Sequence, residues 1–113
     1  MKEIETAKGT ILFFNEEDLK IQDVNSFLEL VYSAKADTFA FNRSSFPDSF
    51  FDLKTGFAGE ILQKTSNYKI RILIVGDISK YNSKSFQDFV YESNQNGKII
   101  FCDLLETGIV LLK

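Results

Sequence analysis

This chain of 113 residues reads as one α/β domain with a mixed, mostly parallel sheet of four or five strands. Three observations predict it. The segment from Lys69 to Gly76 is almost solidly apolar through Ile70, Ile72, Leu73, Ile74 and Val75, the signature of a central strand covered on both faces. Segments of helical periodicity lie before and after it. Alternation of strands with helices implies right-handed crossovers between parallel neighbours.

The elements follow in order. Residues 2–14 form a hairpin, with Ala7-Lys8-Gly9 as the turn and Ile11-Leu12-Phe13-Phe14 as its apolar second arm, adding an antiparallel edge. Asn15-Glu16-Glu17-Asp18 closes it. A helix from about Asp23 carries Val24, Phe27, Leu28, Val31 and Tyr32 on one face. Thr38–Asn42 has strand length, and Arg43-Ser44-Ser45-Phe46-Pro47-Asp48 is a loop around the only proline. Ser49-Phe50-Phe51-Asp52 has the capping pattern of a hydroxyl followed three residues later by a carboxylate. The helix it opens sets Phe50, Leu53, Phe57, Ile61 and Thr65 inward. After the apolar strand, a helix begins near Ser83 with Phe86, Phe89 and Val90 inward, and stops at Asn96-Gly97. Ile99–Cys102 is the last strand, and Asp103-Leu104-Leu105-Glu106 caps a closing helix through Leu112. The order is β-β-α-β-α-β-α-β-α, a single domain over 1–113 without linker or repeat.

Composition narrows the function. The 44% apolar and 26% charged residues are those of an ordinary globular protein. A net charge of -3 argues against a dedicated nucleic-acid binder, which needs clustered Lys and Arg. The longest apolar run is far short of a membrane span, and MKEIETAKG lacks the apolar centre of a signal peptide. Together with the single cysteine, this makes cytoplasmic residence the economical expectation. The absence of histidine removes imidazole acid–base catalysis, Ser-His-Asp and Cys-His arrangements, and the commonest transition-metal ligand. One cysteine and no histidine leave no zinc site of Cys and His. The expectation is a protein without cofactor or metal and more a binder than an enzyme.

The blocks FFDLKTGFAGEILQK, NYKIRILIVGD and SKSFQDFVYESN resemble the hallmark of a bacterial domain-of-unknown-function family, number 4180, found mainly in Firmicutes. The resemblance covers roughly residues 21–112, with the blocks in family order and spacing. Thr65-Ser66 replaces the more apolar pair usual after the helix, and ETGIVLLK departs from the usual helical ending. The family carries no settled activity. The element order is also similar to STAS domains of anti-sigma-factor antagonists, where a hydroxyl near the start of the helix after the third strand is phosphorylated to switch partner binding. On this chain that resemblance points to Ser44, Ser45 and Ser49, with Thr55 one turn in. It implies a compact STAS-like sandwich with helices chiefly on one side of the sheet.

Open α/β sheets work at the carboxyl ends of their strands, so the candidate ligand or partner surface comprises Ser45, Ser49, Asp52, Lys54, Thr55, Gly56, Gly59, Gly76, Asp77 and Tyr81. Each has a plainer alternative. Gly56 and Gly59 serve either close helix packing or approach of a ligand, and each costs about 1 kcal/mol relative to Ala inside a helix. Lys54-Thr55-Gly56 lacks the preceding glycine-rich turn of a phosphate-binding loop. Asp77 either holds a turn through backbone N–H groups or lines a crevice beside Lys80 and Tyr81. Asp52, Lys54 and Glu60 read as a solvated helix face, and Glu92 and Asn94 as cap and surface residues. Phe46 and Phe50 either staple the loop to the helix or, with Phe51, form an exposed patch for a partner. Cys102 reads as an inert core thiol.

Three functions follow as expectations. The leading one is a non-enzymatic regulatory module that binds an unknown protein partner, with no nucleic acid and no membrane. The second is a small-molecule site or minor enzyme in the crevice between Gly76-Asp77 and Thr55-Gly56, using Asp77 with Lys54 or Lys80. The third is a homodimer through the Phe-rich loop.

Overall fold

The computed structural model describes residues 1–113 as a five-stranded mixed sheet with four α-helices. The strands are β1 (Lys2–Thr6), β2 (Gly9–Phe14), β3 (Thr38–Asn42), β4 (Arg71–Val75) and β5 (Ile99–Cys102); the helices are α1 (Val24–Tyr32), α2 (Phe57–Asn67), α3 (Lys84–Asn96) and α4 (Leu105–Leu111). Spatial order follows chain order, β1-β2-β3-β4-β5, with β1–β2 antiparallel and the other three pairings parallel. The sheet is therefore mixed, because the hairpin turn at Ala7-Lys8 reverses the first strand before the crossovers begin.

That order decides where the helices go. Each parallel step moves one place in the same direction, and right-handed crossovers then put every connecting helix on one face. Side-chain alternation supplies the apolar surface they cover. The registers align Leu12, Phe39, Ile72 and Ile99 in one row and Phe14, Phe41, Ile74 and Phe101 in the next. These eight residues join Phe27, Phe57, Ile61 and Phe86 in the main core. The intervening row, Phe13, Ala40, Leu73 and Ile100, faces the other way. There α4 alone covers it, with Leu105, Ile109 and Leu112 against the sheet. A Cβ on Gly108 would lie 2.5 Å from the Cys102 sulfur, so glycine there lets α4 approach β5 closely.

Local signals account for most boundaries. Asp23 caps α1, its carboxylate accepting from the Ser26 backbone N–H and hydroxyl, each at 2.8 Å. Ser83 caps α3 by accepting from the Phe86 N–H at 3.2 Å, and left-handed Gly97 ends it. Asp103 does not cap α4, whose N-cap is Leu104 without a side-chain hydrogen bond. Tyr32 is an exposed residue rather than an inward one, edge-on to exposed Tyr68 with ring centroids 5.3 Å apart.

The largest departure lies between β3 and α2. Instead of a helix opening at Ser49, three short 3-10 turns cover Arg43–Ser45, Asp48–Phe51 and Leu53–Thr55, and α2 starts only at Phe57. Gly56, at φ 79°, separates the last turn from the helix, so it lies at the helix entrance and not in its interior. Phe46, Phe50 and Phe51 are all buried. Phe46 and Phe50 have ring centroids 4.5 Å apart, and Phe50 and Phe57 are edge-on at 5.3 Å. Phe50 and Phe51 are adjacent and both buried, Phe50 against Phe46 and Phe57 and Phe51 against Tyr81 and Phe86, and the 3-10 turns present both to the core. The Phe-rich loop is therefore stapled down, and the exposed apolar patch that a dimer through it needs is absent.

Candidate functional site

The carboxyl ends of β3 and β4 open onto two segments, 43–56 and 76–82. They meet because Gly76 has no side chain. At φ 143°, a Cβ there would stand 2.8 Å from the Arg43 Cβ.

Tyr81 is the hub where they join. Its ring stacks on buried Phe51 with centroids 4.1 Å apart and planes 13° from parallel. Its hydroxyl donates to Asp48 Oδ1 at 2.5 Å and accepts from Arg43 Nη1 at 3.3 Å. Lys80 Nζ lies 3.5 Å from the same Asp48 oxygen and 5.1 Å from the Tyr81 ring centre. The hydrogen bond from Tyr81, reinforced by the Lys80 charge, holds the Asp48 carboxyl below its ordinary range. The two cations, the carboxylate and the phenol thus satisfy one another.

Beside this cluster runs a groove of about 420 Å³ lined by Asp48, Ser49, Phe51, Asp52, Thr55, Lys80 and Tyr81. It is shallow for a topological reason. Deep crevices in open α/β sheets form where strand order reverses and neighbouring crossovers part to opposite faces. Here the order never reverses, so the helices stay together and leave a ledge.

A comparison with protein-family models matches residues 6–111 to the domain of unknown function DUF4180. The chain belongs to the DUF4180 family. Searches of curated proteins and of solved structures return no match. The DUF4180 assignment names no activity, so the reading of its surface rests on the side chains.

Of the residues singled out from the sequence, this DUF4180 domain brings Ser49, Asp52, Thr55 and Tyr81 together on the ledge. The Thr55 hydroxyl lies 2.7 Å from the Ser49 carbonyl and 2.9 Å from that of Asp52, and accepts from the Phe57 N–H at 3.3 Å. It thereby ties the last 3-10 turn to the start of α2. Asp52 accepts from the Lys54 N–H at 3.1 Å. Asp77 holds its own turn, accepting from the Ser79 N–H at 2.8 Å, and that bond lowers its pKa. Ser45 is buried, and its carbonyl accepts from the Ile21 N–H at 2.7 Å, so its side chain is not part of a surface. Ser44 and Ser49 are exposed. Lys54 and Gly59 are exposed and do not line the groove. Neither Gly56 nor Gly59 serves close packing, since a Cβ at either would meet nothing within 4 Å. Gly56 is explained by its positive φ, and nothing in the structure explains Gly59.

Asp48 and Arg43 complete the cluster; both lie in the loop 43–48 read from the sequence, which assigned neither side chain a role of its own. Asp48 and Tyr81 are 33 positions apart, and no local spacing signals such a pair. No group of three or more Asp, Glu, His or Cys side chains is arranged to hold a metal ion. Burial pushes the Cys102 thiol up to about 11, well away from a reactive thiolate. No helix is long and apolar enough to cross a membrane.

Proposed function

We propose that this DUF4180 domain is a non-enzymatic regulatory module of the bacterial cytoplasm that binds a protein partner on the ledge formed by Asp48, Ser49, Asp52, Thr55, Lys80 and Tyr81. One observation carries the reading. Asp48, Lys80 and the Tyr81 hydroxyl, with Arg43 beside them, are already paired with one another, on a shallow surface. Catalysis calls for groups aimed at a space where a reacting atom can sit; a broad ledge of fixed donors and acceptors suits a macromolecular surface.

The STAS analogy adds a regulatory element at Ser49. It is exposed, it follows Asp48, and it faces the same groove as Lys80. A phosphoryl group there adds about two negative charges, competes with Asp48 for Lys80 and reshapes the docking surface. The competing reading, a small-molecule site, has the groove volume in its favour but no enclosed space, and Lys80, the one cation lining the groove, is paired with Asp48.

The test is co-purification from a native host with wild-type, Ser49→Glu and Tyr81→Phe chains. The expected result is a specific partner retained by the wild type and lost or weakened about tenfold with either variant, the equivalent of one interfacial hydrogen bond to a charged group. A partner indifferent to both substitutions, or none at all, discards the ledge as the docking surface.

A further inference from the structure

We propose that a basin at the opposite pole, between the ends of α2 and α3, binds a small, multiply charged phosphate-bearing anion. The basin has a volume of about 490 Å³. Its walls carry the cationic side chains Lys69, Arg71, Lys98 and Lys113 against a single acidic side chain, Asp37. The chain as a whole has 13 Lys and Arg to 16 Asp and Glu. Four cations to one acid is therefore a marked local inversion of an acidic protein, and a concave surface concentrates such a field.

The plain reason for lysines here is the pair of helix ends. α2 stops at Asn67 and α3 at Asn96, and each C-terminus presents about half a negative charge. Two helix ends together offset about one lysine. Lys69, Arg71 and Lys98 less Asp37, less that one, leave an excess of about one positive charge before the Lys113 ammonium is counted. The basin is over-compensated.

The four cations do different work. Arg71 is structural, its fork spent on the Thr38 hydroxyl at 2.9 Å, the Lys8 carbonyl at 2.9 Å and the Lys113 carbonyl at 3.2 Å. Lys69, Lys98 and Lys113 are exposed, and none lies within ion-pair distance of a carboxylate. Lysine ammonium groups act on phosphate as point charges, without the planar match that carboxylates find in arginine. The exposed Ser66 hydroxyl adds a neutral donor. Ile70 is the only hydrophobic lining residue, so no aromatic platform exists for a base, and the ligand is polar throughout.

Lys69 itself supports the assignment. It is the only non-glycine residue with positive φ, 55°. The corresponding exit from α3 uses Gly97 at φ 74°, which adopts that geometry without strain. At α2 the chain keeps a lysine where glycine is easier.

The experiment titrates the 15N-labelled full chain with inorganic pyrophosphate at low salt, with citrate and inorganic phosphate as comparators. The expected result is saturable amide shifts in 66–71 and 97–99, with pyrophosphate tighter than phosphate. Lys69→Gly removes the charge while relieving the backbone, so it tests binding without threatening the fold. Combined with Lys98→Gln, it weakens pyrophosphate about tenfold or more. Lys54→Gln with Lys80→Gln, at the other pole, leaves the affinity unchanged. No saturable shift, or shifts unaltered by Lys69→Gly with Lys98→Gln, overturns the site. Citrate binding as tightly as pyrophosphate overturns the assignment to phosphate. Because the docking ledge lies at the far end of the strands, either proposal can fail without the other.

Discussion

Glycines 56 and 59 lie three residues apart, yet the structure gives them opposite characters. Gly56 sits at φ 79° with open space around it, so a side chain there meets no clash and only the left-handed backbone objects. Gly56→Ala is expected to destabilise the domain by about 1–2 kcal/mol. Gly59 is exposed in the first turns of α2 with a Cβ position equally free. Gly59→Ala is expected to stabilise by about 0.5–1 kcal/mol. Paired urea denaturation curves check both, and equal effects of the same sign contradict the geometry. If Gly59→Ala stabilises the chain but abolishes partner binding, Gly59 belongs to the docking surface. Tyr81 illustrates what single residues conceal. Its local sequence, Lys80-Tyr81-Asn82, is that of any polar turn, and its importance comes from Phe51 beneath it and Asp48 beside it.

At the scale of elements, β5 shows how the fold guards an edge. As the last strand in the order it has no neighbour on one side, and an open strand edge invites pairing with another chain. Asn94, on α3, closes it. Its side-chain oxygen accepts from the Phe101 N–H at 2.8 Å and its amide donates to the Phe101 carbonyl at 3.1 Å. The expectation of a surface residue is thus corrected: Asn94 imitates one residue of a sixth strand. Asn94→Ala strands both backbone groups beside buried Phe101 and is expected to cost about 1–3 kcal/mol. It also exposes the edge, so the variant should gain concentration-dependent association. Thermal melts and light scattering over a dilution series measure the two effects, and an unchanged melting temperature contradicts the assigned role.

Across the whole molecule, the two faces of the sheet are covered unequally. Three helices pack the main core, and a single seven-residue helix, α4, covers part of the other face. α4 is held at its end by Lys8, whose ammonium donates to the carbonyls of Val110 at 2.7 Å, Leu112 at 2.8 Å and Ile109 at 3.1 Å. Those are the orphan carbonyls of a helix C-terminus. Lys8 stands in the β1–β2 turn, so the first turn of the chain fastens the last helix. Lys8→Met is expected to loosen α4 by about 1 kcal/mol while leaving the β3–β4 centre intact. Hydrogen exchange reads this directly: α4 amides should exchange several-fold faster with β4 amides unchanged, and uniform acceleration instead shows that α4 is inseparable from the core.

The sequence alone carried whatever a short window contains. The continuous apolar run of β4, the period of α1 and α3, the Asp23 and Ser83 caps and the Gly97 stop are local consequences of burial and of unsatisfied helix ends, and they led to the right element order. It also settled the absence of imidazole chemistry. Tertiary packing set the 3-10 turns on which Phe50 and Phe51 both turn inward, and the late start of α2 at Phe57. It decided that Ser45 is buried while Ser49 is exposed, that Asp48 meets Tyr81, and that Lys69 shares a basin with Lys98. The physical reason is common to all of these. Each depends on which residues the crossovers bring together across tens of positions, and hydrophobic periodicity records which side of its own element a residue faces without naming what waits there.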